Sequence, residues 1–129
     1  MKREIKFKAK RLDGKGWVEG SLIRSTTGIK ERAYIVDNFS SMSDYSVIGV
    51  DPSTICQFTG LKDCDGKEVW EGDTLEGNRK AEIFFAQGAF LIRSIDDNGK
   101  ETLHSLFNYI EWNGKLMCRV VGNKFDKEK

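Results

Sequence analysis

Four carboxylates, Glu68, Glu71, Asp73 and Glu76, fall close together in the chain. Acids so spaced can divide the proton-donor and proton-acceptor roles of a hydrolase, provided their surroundings drive their pKa values apart. A solvated acidic turn produces the same pattern without chemistry. Asp63-x-Asp65-Gly66 and Asp96-x-Asn98-Gly99 echo calcium loops. With glycine at the sixth position such a loop needs carboxylates at the first and twelfth. The first stretch has Leu61 and Gly72 there, the second Ser94 and Ser105, so both read as hairpin turns. Gly60 to Lys67 fails as a phosphate loop: five residues separate Gly60 from Gly66, and Glu68 stands where a hydroxyl is required. Cys56, Cys64, Cys118 and His104 are chemically capable of ligating a metal or forming a nucleophile pair, but no Cys-x-x-Cys spacing occurs. No catalytic residue, metal or cofactor is assigned. The expectation is a non-enzyme, with a hydrolase acting through acidic residues as the lesser alternative.

The elements that must carry these residues are mostly strands. In Ile5-Lys6-Phe7-Lys8-Ala9-Lys10 apolar side chains alternate with lysines, the period-two pattern of a strand with one face on a core. Leu12 to Gly16 supplies a turn, and Trp17 to Ile23 returns. Residues 24–32 read as a loop, Ala33 to Val36 as a strand, and the serine-rich 37–44 as a second, mobile loop. Its Asn38-Phe39-Ser40 has the form of a glycosylation acceptor but lacks a secretory context. Ser46 to Val50 resumes an extended course, and Pro52 opens a turn. Beyond Phe58 the spacing of turn signals predicts hairpins across Lys62–Lys67, Gln87-Gly88 and Asp96–Gly99. His104 to Tyr109 is the one short helix expected, Leu116 to Val121 the last strand, and Asp126 to Lys129 a frayed tail. The hairpin 81–95 is apolar on both faces, since Ile83 and Phe85 oppose Phe84 and Ala86. That predicts either a sheet covered on both sides or an apolar patch closed by another subunit. Trp17, Trp70 and Trp112 read as core or interface anchors.

Composition sets the outer bounds. The chain has 129 residues, 39% hydrophobic and 32% charged, with 21 basic and 20 acidic groups. One domain over 1–129 is expected, with possible sub-parts 1–57 and 58–125. No apolar run approaches the ~20 residues of a membrane helix. The opening residues turn to alternation before a signal-type apolar core appears, and an odd number of cysteines fits a reduced, cytoplasmic chain. The balance of charge conceals blocks. Residues 1–32 carry ten basic and four acidic groups, a net +6; residues 33–77 carry two and nine, a net −7. The basic block makes Lys6, Lys8, Lys10 and Arg24 candidate nucleic-acid contacts. Self-complementary packing of the two blocks is the plainer reading.

One stretch carries a family resemblance. Val50-Asp51-Pro52-Ser53-Thr54-Ile55-Cys56-Gln57-Phe58-Thr59-Gly60-Leu61-Lys62-Asp63-Cys64-Asp65-Gly66-Lys67-Glu68-Val69-Trp70-Glu71-Gly72-Asp73 resembles the signature of the YopX family. The opening hairpin and Val120-Val121-Gly122-Asn123 are similar to that family's first and last strands. The chain departs at Cys56 and Cys64, where glycine and a charged residue are more usual. The resemblance implies a phage- or prophage-encoded, mainly β protein with barrel-like parts and no established activity. It carries no catalytic set.

These readings converge on a mainly β fold of antiparallel hairpins with at most one or two short helices. The expected function is a non-enzymatic cytoplasmic module that binds another macromolecule, foremost a protein, and possible self-association is included. Signature loops on a rigid scaffold are where partner contacts commonly sit. Asp51, Pro52, Gln57, Asp63, Lys67, Trp70, Glu71 and Asp73 are therefore the candidate interaction surface. Nucleic-acid binding through the basic hairpin is the alternative.

Overall fold

A computed structural model describes residues 4–25, 31–37, 46–76, 80–111 and 114–126. Contacts divide the chain into two compact units, Met1–Phe58 and Thr59–Lys129. Among the described residues there is no α-helix, only three short 3-10 turns.

The first unit holds β1 (Phe7–Lys10), β2 (Trp17–Ser25), β3 (Arg32–Asp37), β4 (Ser46–Val50), a 3-10 turn (Pro52–Thr54) and the start of β5 (Cys56–Lys62). The strands lie side by side in the order β4-β3-β2-β1-β5, and each neighbouring pair is antiparallel. Alternation decides which side chains turn inward: Ala9, Val18, Ala33, Ile35 and Val50 form the buried cluster, with Phe7, Leu22, Ile48 and Ile55 packed on it. Gly20 is needed where β2 passes β3, because a Cβ there would meet the Val36 carbonyl oxygen at 2.1 Å.

The second unit continues β5 and adds β6 (Glu68–Trp70), β7 (Asp73–Glu76), β8 (Lys80–Ala86), β9 (Ala89–Ile95), β10 (Glu101–Ser105) and β11 (Arg119–Asn123). Its main sheet has the order β10-β9-β8-β7-β11, antiparallel throughout, with a bulge between Val120 and Gly122. Val69, Leu75, Ile83, Ile92, Leu106 and Leu116 make its core. The mainly β expectation holds. Among the described residues neither sheet closes into a barrel; β10 and β11 are the outer strands of the main sheet.

Several boundaries differ from those expected. β1 begins at Phe7, and β2 runs on to Ser25 in pairing with β3, which shortens the loop expected at 24–32. His104 belongs to β10 and pairs with Ile92; only Leu106–Tyr109 coil, with the Ser105 hydroxyl accepting from the Phe107 N–H at 3.2 Å. The last strand begins at Arg119, and Leu116 forms an isolated bridge with Ile110. Asp126 sits in a 3-10 turn (Lys124–Asp126). Residues 26–30, 38–45, Trp112 and 127–129, including the glycosylation-like triplet and most of the expected tail, lie outside the described residues.

Candidate functional site

The signature residues are best followed from their turns. Asp63-Cys64-Asp65-Gly66-Lys67 and Asp96-Asp97-Asn98-Gly99-Lys100 have the same bonding. In each, the aspartate carboxylate accepts two backbone N–H groups: Asp65 at 2.9 Å and Lys67 at 2.8 Å in the first, Asn98 and Lys100 at 2.9 Å in the second. In each, the glycine N–H closes the turn on the aspartate carbonyl. The difference is tertiary. The second carboxylate oxygen of Asp63 accepts the Val120 N–H of β11 at 2.8 Å, a partner 57 residues away. Burial pushes the Asp63 carboxyl up, but donation by Val120, Lys67 and Asp65, with the Lys67 charge nearby, outweighs it and holds the group below the ordinary value.

Asp73 does the same work one turn later. One carboxylate oxygen accepts the Trp70 N–H at 2.7 Å and the other accepts from the Asn123 side-chain amide at 2.9 Å. That amide also donates to the Glu71 carbonyl, and its oxygen accepts the Phe125 N–H at 3.0 Å. Gly72 adopts φ +89° beneath this network, where a Cβ would lie 3.2 Å from the Asn123 amide nitrogen. Two aspartates of the signature thus fasten its turns to the strand that ends the sheet.

The residues of the expected interaction surface differ in burial. Asp63 is 1% exposed, Asp73 2% and Trp70 4%, so all three belong to the interior. The two aspartates tolerate burial because N–H donors replace the water that each carboxylate has lost. Asp51 is partly buried and caps the Pro52–Thr54 turn through the Ser53 N–H and hydroxyl. Pro52 lines a small pocket in the first unit with Leu12, Tyr34 and Gly49. Gln57 is half-buried opposite Phe7 in β1, Glu71 is half-buried, and Lys67 is exposed. Asp51, Pro52 and Gln57 fall in the first unit, and Asp63, Lys67, Trp70, Glu71 and Asp73 in the second.

The basic hairpin has a defined construction. Lys8 and Lys10 reach over the Trp17 ring, at 4.5 and 4.9 Å from its centroid, and Lys6 lies 4.8 Å from the Phe58 centroid. The three ammonium groups therefore rest on aromatic faces and are half-buried, not extended into water as alternation implied. Lys6 also pairs with Glu4 at 3.4 Å and Glu19 at 3.7 Å, while Arg24 is ion-paired with Glu31.

The side of the main sheet away from its core offers a surface that single-residue reasoning did not place. Ile83 pairs with Ile92 on the core side, so the neighbouring pair Phe84 and Leu91 occupies the opposite face. Leu103, 55% exposed, stands across from Arg93, and Ile95, 61% exposed, across from Glu101. A charge ladder crosses the same face: Lys124 to Glu82 at 3.6 Å, Glu82 to Arg93 at 3.1 Å, Arg93 to Glu101 at 3.4 Å. The Arg93 guanidinium also covers the Phe84 ring at 5.5 Å. The two-sided apolar pattern of residues 81–95 was the signal for this face, and the pairing register turned it into a map.

Among the described residues, no group of three or more histidine, cysteine or acidic side chains converges as a metal site, and no helix is long and apolar enough to cross a membrane. Among curated proteins nothing matches the chain. A family model described as YopX protein matches residues 6–128, which takes in the opening hairpin, both aspartate-fastened turns and the strand they hold. This chain belongs to the YopX family.

Proposed function

We propose that the chain is a non-enzymatic, phage- or prophage-derived cytoplasmic module that works by binding a protein, with the outer face of β8–β10 as its contact surface. The observation behind this is an apolar row on one face, with Ile95 and Leu103 exposed and Phe84 and Leu91 half-buried beside them, flanked by Glu82, Arg93 and Glu101. Apolar anchors inside a charged rim are the composition from which protein interfaces draw both affinity and orientation. Of the acidic residues that invite a catalytic reading, Asp73 has a structural task, its carboxylate accepting the Trp70 N–H and the Asn123 side-chain amide. A capture experiment from the bacterial host tests the reading, with the intact chain beside a Leu91→Glu/Leu103→Glu variant. A protein retained by the first and lost by the second is expected; no specifically enriched protein, or equal capture by both, overturns it.

A second reading, nucleic-acid contact through Lys6, Lys8 and Lys10, is favoured by one observation: three lysines beside aromatic rings on one hairpin. The ion pairs of Lys6 and Arg24 reduce the net charge that this face presents. Labelled single- and double-stranded DNA and RNA at low salt decide it, since phosphate contact makes affinity fall steeply as salt rises.

A further inference from the structure

Cys64 and Cys118 are 54 residues apart in the chain and adjacent in the fold. The Cys64 N–H donates to the Cys118 carbonyl at 3.2 Å. A direct backbone bond makes the two residues immediate neighbours, and a disulfide needs Cα atoms roughly 4.4–6.8 Å apart. Cys64 is exposed at the tip of the signature turn, and Cys118 is half-buried immediately before β11. Burial first, and the neighbouring Cys64 second, push the Cys118 thiol up, so the two sulfur groups are close enough to interact electrostatically. Cys56 is fully buried in the first unit, whereas Cys64 and Cys118 belong to the second.

We propose that Cys64 and Cys118 form a reversible intramolecular disulfide that staples the signature turn to the last strand when the surrounding thiol pool becomes oxidised. The oxidant is a low-molecular-weight disulfide of the glutathione type. The exposed Cys64 thiolate attacks one sulfur of that disulfide, forming a mixed disulfide and releasing one small thiolate. The Cys118 thiolate then attacks the Cys64 sulfur, closing the protein bond and releasing the second. Two protein thiols are oxidised, one small disulfide is reduced to two thiols, and no other co-reactant is needed. The staple parallels the Asp63–Val120 hydrogen bond, joining the same turn to the same strand. An excess of reduced glutathione reverses it.

The test equilibrates the intact chain in buffers of graded oxidised to reduced glutathione, then blocks free thiols and determines intact mass and cross-linked peptides. The expected product lacks two hydrogens, keeps Cys56 as its blocked thiol, and yields one peptide pair containing Cys64 and Cys118. Its thermal midpoint should rise by at least about 5 °C and fall back on reduction. Cys64→Ser should show neither bond nor shift, and Cys118→Ser should accumulate the glutathione adduct at Cys64. The proposal is overturned if wild type retains three thiols throughout, stops at the adduct, or links only between chains. Circular dichroism of both variants in reducing buffer checks that each is folded; should Cys118→Ser prove unfolded, the wild-type peptide map and the exposed-site variant still decide.

Discussion

Replacing Asp63 by alanine should cost the second unit about 3–4 kcal/mol, whereas the same change at Asp96 should cost only about 1–2 kcal/mol. Both aspartates accept two N–H groups in turns of matching geometry. Those donors lie at turn tips where water replaces the lost carboxylate, so each is worth about 0.5–1 kcal/mol. Asp63 alone holds the Val120 N–H, at 2.8 Å in a partly buried strand. Losing that charged acceptor removes one bond and strands a donor, a further ~2 kcal/mol. Spread over the second unit, whose stability should be roughly 4–10 kcal/mol, this is a large fraction. Urea unfolding followed by tryptophan fluorescence measures both variants, and an unchanged slope is the condition for reading the midpoint as stability. The pH dependence follows from the lowered Asp63 pKa. Its stabilisation is complete above the ordinary value of 3.8 and disappears as pH falls through the lower folded value. The gap between wild type and Asp63→Ala should therefore narrow only in acid below about pH 4. Equal losses at Asp63 and Asp96 would refute the tether, because the bond to β11 is the one carboxylate hydrogen bond that distinguishes the two turns.

Further outcomes follow from the same structure. Asp73→Asn places an amide between two donors, the Trp70 N–H and the Asn123 side chain, and should lower stability by about 2–3 kcal/mol in urea unfolding. Gly20→Ala should destabilise the first unit by more than ~3 kcal/mol, since its Cβ would sit 2.1 Å from the Val36 carbonyl oxygen; amide hydrogen exchange should show protection lost in β2 and β3. Leu103→Glu, on an exposed site, should leave thermal stability within about 0.5 kcal/mol of wild type while weakening capture of a protein partner.

Local order was written in the residues themselves. The lysine–apolar alternation of β1 and the glycine and aspartate punctuation at 63–66, 87–88 and 96–99 located strands and turns, because pleating and positive-φ turns depend on neighbours a few residues away. The unusual apolarity of both faces of 81–95 was equally visible. What each aspartate does was not. Asp63 and Asp96 sit in nearly the same local sequence, yet one is buried against β11 and the other only closes its turn. Likewise Lys8 and Lys10 alternate as solvent-facing residues should, and only the β1–β2 register sets both over Trp17.

Periodicity thus determined that this chain is a set of antiparallel hairpins, since a strand's facing is set by its own next-but-one residues. Pairing across 50 residues or more decided that Asp63 and Asp73 are internal fasteners and that Cys64 adjoins Cys118, while the register of two successive hairpins put Phe84, Leu91, Ile95 and Leu103 on one outer face. Such contacts arise only once loops have closed and strands have chosen their partners. The energy that selects them lies in buried donors and apolar area, and neither exists in the extended chain.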